Sequence, residues 1–438
     1  MRGRILFIAP SAYTLSGLAT WLDYLELGLH EKGWKVTIGL VEGPEFHRPE
    51  TYLLEHPHIN WIVISCLTGT PEGRIRAIQR TIMALHPDIV ASVNIPDAYP
   101  AVNRLRRSRK HTPKIVMTVH GIEAYLYDDI ALSGSTLDGV ICTNRLACKL
   151  AQIIGGFPDN RIFYAPYGVK TNNISFPDKH INNLIIAYSG RLEQWQKRVH
   201  DLPEIIKELE KRGVPFELLI AGNGPEEKSL RKVLETWVKN KRVTFLGRLS
   251  PTEMRDKLYA RANTLLMPSF WETGPIVNWE AMAAGVVVVS SRYVGSGLEG
   301  SLQHGENALL FPIGDHREAA IQLSRLVREP GLATRLAQNG YQVIKERYDL
   351  HVSINAWDAA FKKILDLPDR KQVDPWPKIK ANGRLDNLLG ITFAEITRKI
   401  IGKKVIANDA GGEWPHSYSG TQCQDESFWK IANAADGP

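Results

Sequence analysis

The chain has 438 residues, 44% hydrophobic and 23% charged, and its 54 Lys and Arg against 47 Asp and Glu give a formal net charge of +7. At roughly 150 residues per domain this length predicts two or three domains, and the composition excludes disordered, collagenous and coiled-coil chains. No apolar run approaches the roughly 20 residues of a spanning helix, and residues 1–10 lack a signal-peptide pattern. We therefore expect a cytoplasmic protein. Its four cysteines lie at unrelated spacings that predict neither a disulfide framework nor a metal site.

Apolar runs alternate with helix-like stretches through the first 165 residues. The run at 4–9 precedes leucines at 18, 22, 25 and 29, which are spaced as on one helix face. Further strand-like runs follow at 36–40, 61–65, 88–93, 114–119, 140–143 and 162–165. Alternating strands and helices predict a parallel sheet covered on both faces.

The alternation pauses and then begins again, which predicts a second domain of the same kind. We expect an N-terminal domain over 1–172, a polar linker over 173–183 and a C-terminal domain over 184–350. The strand-like runs of the second domain are 184–188, 216–221, 243–246, 264–267, 286–290 and 309–311. The fold class is therefore α/β, with two doubly wound parallel-sheet domains.

The remaining residues predict a returning helix and an extension. Residues 351–366 carry one apolar face and are expected to pack back on the N-terminal domain. In the extension over 367–438, prolines mark a linker and one amphipathic helix is predicted at 385–401. We expect the rest of the extension to be poorly ordered.

Loops after several strands have residues suited to anions or sugars. Arg191 and Lys197 follow the first strand of the second domain. The planar guanidinium of arginine can bind two phosphate oxygens and the ammonium of lysine adds a mobile positive charge, so the two together suit a diphosphate. Gly17, Gly222 and Gly224 permit close approach of the backbone to a ligand. A tight turn explains each glycine loop equally well, and an ordinary basic loop explains the two cations.

The sharpest pattern is WETGPIVNWEAMAAG at 271–285, in which Glu272 and Glu280 are eight residues apart. Paired hydroxyls of a sugar or a ribose are well served by a two-oxygen acceptor, and the intervening helix N-terminus directs amides at phosphate. The preceding strand, the Gly-Pro turn and the small residues of the helix favour a binding site over chance spacing.

Seven pieces in this order resemble the retaining, family 4 type glycosyltransferases, or glycosyl transferases group 1, of the GT-B architecture, whose two Rossmann-like domains face a cleft. The resemblance runs over about residues 4–365. It rests on the Gly17 loop, HG at 120–121, PYGV at 166–169, GR at 190–191 with Lys197, GNGP at 222–225, Glu272 and Glu280 with EAMA, and Glu299 with 304–310.

The resemblance implies a nucleotide diphosphate-sugar donor held mainly by the second domain. Arg191 and Lys197 are implied to bind the diphosphate, Glu280 the ribose and Glu272 the sugar, and His120 reaches the sugar from the first domain. His120, Arg191, Lys197 and Glu272 form the implied catalytic set. The other implied donor-binding residues are Gly17, Gly190, Gly222, Gly224, Gly274, Pro275 and Ile276.

The reaction implied is transfer to a glycan or lipid-linked acceptor with retention, in cell-surface polysaccharide or glycolipid biosynthesis. No Asp-any-Asp triplet or carboxylate nucleophile is evident, so we expect a metal-independent enzyme without a cofactor that uses front-face departure and attack. Two residues depart from the family's pattern: Pro275 cannot donate an amide to phosphate, and Tyr167 stands where Asn is frequent.

Three further interpretations remain open. The basic run from Arg104 to Lys110 (RLRRSRK) is either a solvated helix face or a contact for anionic lipid, which predicts a peripheral location at the inner face of the membrane. A nucleotide-sugar epimerase of the same fold and a non-catalytic scaffold are the alternatives to transfer. Nucleic-acid binding is not expected, because the charge is modest and no recognised module is present.

Overall fold

The computed structural model describes residues 2–11, 17–43, 47–108, 112–176, 181–370, 374–377, 379, 381, 383–405 and 425–437. The chain divides into two compact units. Unit one comprises Met1–Thr143, Ala147–Ala165 and Ile354–Trp429, and unit two comprises Asn144–Leu146, Pro166–Ser353 and Lys430–Pro438.

Unit one contains a seven-stranded parallel sheet in the order β3-β2-β1-β4-β5-β6-β7. Its strands are β1 (Gly3–Pro10), β2 (Trp34–Val41), β3 (Trp61–Ile64), β4 (Ile89–Val93), β5 (Lys114–Val119), β6 (Gly139–Cys142) and β7 (Ile162–Tyr164). The accompanying helices are α1 (Gly17–Glu31), α2 (Pro49–Glu55), α3 (Pro71–Leu85), α4 (Ala98–Arg107), α5 (Ala124–Ser133) and α6 (Arg145–Ile153), with a 3-10 turn at Asp159–Arg161. The central strands β4 and β5 are buried along their whole length because helices cover both faces of the sheet.

Helix α14 (Leu350–Asp366) belongs to unit one from Ile354 onward. It packs closely on α1, where a Cβ on Gly28 would lie 2.2 Å from a side-chain carbon of Ile354. Asp358 accepts hydrogen bonds from Arg2 at 2.9 Å and from the Trp34 indole at 2.9 Å. These contacts join α14 to α1, to Arg2 just before β1, and to the first residue of β2.

Unit two repeats the arrangement with six parallel strands in the order β10-β9-β8-β11-β12-β13. Its strands are β8 (Leu184–Ser189), β9 (Phe216–Ala221), β10 (Val243–Gly247), β11 (Thr264–Met267), β12 (Val287–Ser291) and β13 (Ala308–Phe311). Its helices are α7 (Asp201–Lys211), α8 (Glu227–Val233), α9 (Glu235–Lys239), α10 (Pro251–Glu253), α11 (Ile276–Ala283), α12 (His316–Arg328) and α13 (Leu332–Val343), with π-helical turns at Met254–Tyr259 and Ile344–Tyr348. The predicted α/β fold class with two doubly wound parallel sheets is confirmed.

The described part of the C-terminal extension contains two helices, α15 (Arg384–Ile400) and α16 (Glu426–Asp436). Only the first of them is predicted from the sequence. In α16, Phe428 and Trp429 are buried, and the Phe428 ring stacks on Tyr127 at 5.8 Å. A helix of 11 residues depends on such packing rather than on its own propensity. Residues 406–424 of the extension lie outside the described residues.

No helix in the described part of the chain is long and apolar enough to cross a membrane.

Candidate functional site

The candidate site of unit two lies where the strand order reverses. Strands β8 and β11 are neighbours at the centre of the sheet, and the chain proceeds outward from them in both directions. The loops after parallel strands meet at one edge, and ligands of doubly wound sheets bind at this switch point. Residues 190–200 follow β8 and residues 268–275 follow β11.

Lys197 and Glu272 form a direct ion pair between these two loops. The Lys197 Nζ lies 2.6 Å from Glu272 Oε1, and the Ser269 hydroxyl donates to the same oxygen at 2.7 Å. The Glu272 side chain is 7% exposed and the Lys197 side chain 16%. A carboxylate so deeply buried needs a charged partner, and Lys197 provides it.

The loop that carries Lys197 is ordered by a second carboxylate, Glu193. Its oxygens accept from the backbone amides of Gln196 at 3.0 Å and Lys197 at 2.6 Å. Arg191, two residues earlier, has an exposed side chain. Its backbone oxygen accepts from the buried Tyr188 hydroxyl at 3.1 Å. The loop therefore holds its own backbone fixed while it presents the Arg191 guanidinium to solvent.

The glycines of the loop after β9 have a structural role. A Cβ on Gly222, whose φ is +128°, would lie 1.9 Å from the Gly190 carbonyl oxygen. A Cβ on Gly224 would lie 2.3 Å from the Leu192 carbonyl oxygen. Both glycines thus allow this loop to press against the loop after β8, which accounts for them without a ligand.

Glu280 lies within α11, on the helix that begins after Pro275. Its carboxylate accepts a hydrogen bond from the Tyr259 hydroxyl at 3.0 Å. Burial raises the pKa of Glu280 from 4.5 to about 7, against the lowering effect of that hydrogen bond. The carboxyl group is therefore poised between its two protonation states near neutral pH.

The turn before α11 packs on aromatic rings. Gly274 has a φ of +125°, and a Cβ there would lie 3.0 Å from the Trp279 ring and 3.1 Å from the Tyr167 ring. Pro275 occupies the N-cap position, where it offers no side-chain or amide donor. Ile276 is the first residue of the helix, and the first amides of a helix have no intrahelical partner. The tyrosine that departs from the family's pattern thus packs against this turn.

His120 belongs to unit one, directly after β5. Its Nε2 lies 2.8 Å from the Thr118 hydroxyl, and its ring centroid is 4.6 Å from that of Trp21. Burial lowers the pKa of the imidazole to about 3. The ring is consequently neutral at physiological pH and acts as a hydrogen-bonding group rather than a cation.

Within unit two, the structure brings two of the predicted residues into direct contact. Lys197 and Glu272 meet directly, whereas Glu280 pairs with Tyr259. Gly17 is the first residue of α1 in unit one, and the loop before it, residues 12–16, lies outside the described residues.

Sequence reasoning missed three residues that hold the site in place: Glu193, Tyr259 and Ser269. Ser269 could have been found from the sequence, because it lies three residues before Glu272 in the same loop at the end of a strand. The role of Glu193 depends on the bend of its loop, and that of Tyr259 on packing across 21 residues of sequence, so neither had such a signal.

The predicted membrane-binding run on α4 is partly neutralised within unit one. The Arg104 guanidinium binds both oxygens of Glu72, at 3.1 and 2.8 Å. Arg106 forms a buried ion pair with Asp138. Arg107 is exposed, and Lys110 lies outside the described residues. Two of the charges on which the expectation rested are therefore engaged internally.

Comparison with family models gives a match in unit two. Residues 170–343, most of unit two, match the family model of glycosyl transferases group 1. The predicted resemblance to group 1 glycosyl transferases is confirmed for this segment, and the two parallel sheets agree with the predicted GT-B architecture.

Individual relatives agree with this assignment. The chain is 26% identical over 223 residues to N-acetyl-alpha-D-glucosaminyl L-malate synthase of Bacillus anthracis, covering 50% of this chain and 55% of that protein. It is 29% identical over 173 residues to the lipopolysaccharide core biosynthesis glycosyltransferase LpsE of Rhizobium meliloti, covering 40% and 48%. An exopolysaccharide phosphotransferase, SCO2592 of Streptomyces coelicolor, is 27% identical over 194 residues, 44% of this chain and 18% of its own length. The chain thus spans about half or less of these curated relatives.

Solved structures share the fold. The lipopolysaccharide outer core galactosyltransferase WaaB superposes with a TM-score of 0.65 at 18% identity, over 82% of this chain and 99% of that one. Anabaena HepE, solved with UDP and glucose, gives 0.65 at 19% identity over 82% and 99%. At these identities the likeness shows the fold alone.

Proposed function

We propose that this protein is a retaining glycosyltransferase that moves a sugar from a nucleotide diphosphate-sugar to a glycan or lipid-linked acceptor. The observation that carries the proposal is the Lys197–Glu272 ion pair at the switch point of unit two, beside the exposed Arg191. It supports the proposal because a cation and a carboxylate lie together at the switch point, where doubly wound sheets bind their ligands.

The leaving diphosphate is the group that most needs stabilisation, because negative charge grows on it as the glycosidic bond breaks. Arg191 supplies a planar fork for two phosphate oxygens, and Lys197 can share its charge between Glu272 and the phosphate. The first amides of α11, beginning at Ile276, add the positive end of the helix dipole. These groups support the proposal that transfer proceeds without a metal ion.

Glu280 and Glu272 are proposed to orient the donor. A carboxylate accepts from two adjacent hydroxyls, so Glu280 suits the ribose and Glu272 the sugar. The hydrogen bond from Ser269 and the ion pair with Lys197 make Glu272 a positioned acceptor and a weak nucleophile. Retention by front-face attack is accordingly favoured over double displacement, and the neutral His120 imidazole is proposed to bind the sugar as a hydrogen-bonding group.

The proposed setting is polysaccharide or glycolipid biosynthesis, on the strength of relatives whose names specify lipopolysaccharide and exopolysaccharide chemistry. UDP is one candidate nucleotide, since HepE was solved with it, and GDP and ADP are the others. Location in the cytoplasm with peripheral contact at the inner membrane face is part of the proposal. Because Arg104 and Arg106 are engaged internally, that contact needs cations from elsewhere in the chain.

The test is donor turnover. The purified chain is incubated with the common UDP-, GDP- and ADP-sugars, with and without a lipid extract as acceptor, and nucleotide release and sugar products are followed by NMR. We expect release of one nucleotide diphosphate that depends on acceptor, with the anomeric configuration of the donor preserved in the first product.

Two results contradict the proposal. Conversion of the donor sugar without acceptor indicates an epimerase of the same fold. No change in any donor, together with no binding of any nucleotide diphosphate, indicates a non-catalytic scaffold.

A further inference from the structure

Helix α15 of the C-terminal extension is fixed on unit one by its buried polar side chains. The Glu395 carboxylate accepts hydrogen bonds from the hydroxyls of Thr68 at 2.6 Å and Thr70 at 2.5 Å. Asp386 forms a buried ion pair with Arg398 within the same helix. Both acidic side chains of this segment therefore face inward.

The residues after the helix continue the attachment. The Val405 amide donates to the Thr68 carbonyl at 2.7 Å, and the Lys403 amide donates to the Arg398 carbonyl at 2.9 Å. Gly390, the seventh of the 17 residues of α15, has a φ of +73° and interrupts the helical backbone. The orientation of the segment from Ile391 to Val405 is thus determined by contacts at both of its ends.

The opposite face of this segment is apolar and exposed. Phe393, Ile396 and Ile400 are spaced three and four residues apart, so they form one stripe of the helix. Phe393 is 68% exposed and Ile400 is 79% exposed. The whole set, here called the α15 face, is Leu388, Leu389, Phe393, Ile396, Ile400 and Ile401. Contiguous apolar surface of this kind marks an interaction site.

The charges around the α15 face have one sign. Between residues 384 and 405 every exposed charged side chain is cationic, because the two carboxylates are buried. These cations are Arg384, Lys399, Lys403 and Lys404. The exposed Arg80 of α3 and the 63%-exposed Leu67 line a shallow cleft beside Lys399 and Ile400. Apolar and cationic side chains therefore lie side by side at this cleft.

We propose that the α15 face lies on the surface of a membrane containing anionic lipid. An amphipathic helix inserts its apolar stripe among the acyl chains while Lys and Arg contact the anionic headgroups. Pairing with a second copy is disfavoured, because a symmetric interface would oppose cationic residues to cationic residues. The inference refines the peripheral contact in the proposed function. Vesicle binding needs neither donor nor acceptor, so it can fail independently of sugar transfer.

The experiment is co-sedimentation of the full chain with phosphatidylcholine vesicles that contain either no anionic lipid or about one third phosphatidylglycerol. We expect binding to the anionic vesicles and much weaker binding to the neutral ones. Phe393→Ser and Ile400→Ser should each weaken binding about tenfold. The matched control is Leu54→Ser, since Leu54 is 82% exposed on α2 of the same unit, and it should bind as the wild type does.

The cations are tested separately. Lys403→Gln and Lys404→Gln should each weaken binding about fivefold at low salt, and the difference should shrink at high salt. Lys211→Gln, at a lysine 70% exposed in unit two, is the matched control.

Three results would overturn the inference. The first is no sedimentation of the wild type with either vesicle. The second is a dimer in light scattering that Phe393→Ser dissociates, which assigns the face to a second copy. The third is a melting temperature lowered by Phe393→Ser and Ile400→Ser without vesicles, which shows that the chain covers this face itself.

Discussion

Lys197 and Arg191 of the candidate site contribute unequally to the folding free energy of unit two. Lys197→Ala leaves the buried Glu272 without its partner and should cost unit two about 2–3 kcal/mol of folding free energy. Arg191→Ala removes an exposed side chain and should change stability by less than about 0.5 kcal/mol. Denaturant unfolding of both variants measures the difference. Equal destabilisation would show that the ion pair does not hold Glu272.

Glu280 gives the site a dependence on pH. Its pKa in the folded chain, about 7, lies above the ordinary 4.5, so ionisation costs more in the folded state and stability is lost as pH rises from about 4.5 through 7. Glu280→Gln should therefore be about 2–3 kcal/mol more stable than the wild type at pH 8 and nearly equal to it at pH 5. Thermal unfolding at the two pH values measures this.

The matched control for that comparison is Glu204→Gln, which removes a half-exposed carboxylate on α7. It should show no such change between pH 5 and pH 8. If Glu280→Gln is less stable than the wild type at pH 8, then ionisation of the buried Glu280 does not destabilise the folded chain.

The loops after β8 and β9 depend on each other through Gly222. In Gly222→Ala the new Cβ would meet the Gly190 oxygen, and the alanine would have to adopt a φ that residues other than glycine rarely adopt. The substitution should therefore cost at least about 2 kcal/mol of folding free energy. It should also weaken nucleotide binding, because the loop of Arg191 must shift. Gly213→Ala is the control, since Gly213 has a φ of +65° with no atom near its missing Cβ. It should cost about 1 kcal/mol and leave binding unchanged. Similar losses in both variants would contradict the close packing of the loops.

At the level of elements, most strands could be predicted from the sequence, because buried parallel strands appear in it as short apolar runs. The run at 4–9 became β1 and the run at 264–267 became β11. Helix α16 was not predicted, since its stability comes from burying Phe428 and Trp429 rather than from a long periodic pattern.

Less of the candidate site than of the fold could be predicted from the sequence. Glu272 and Lys197 could be named from strand-end loops, and the structure joins them in an ion pair. The Tyr259 hydroxyl that binds Glu280 comes from a turn 21 residues away, and no local pattern signals such a contact. The glycines at 222 and 224 suggested close approach to a ligand, which stays a prediction, and the structure shows each of them close to a backbone carbonyl oxygen of the neighbouring loop.

For the whole molecule, the repeated alternation of strands and helices in the sequence predicted two α/β domains. Each half has its own switch point in the same strand order, and the comparison with group 1 glycosyl transferases falls on the second half. The extension beyond α14 lies outside the matched segment. The α15 face belongs to this extension and is an addition to the two parallel sheets and their helices.

The donor site of unit two is tested by calorimetric titration of the purified chain with UDP, GDP and ADP in the presence of EDTA. We expect that one of them binds, that Arg191→Ala weakens its binding at least about tenfold, and that Lys211→Ala has no effect. If no nucleotide diphosphate binds, with or without added magnesium, or if Arg191→Ala binds as the wild type does, the donor site is not where we place it.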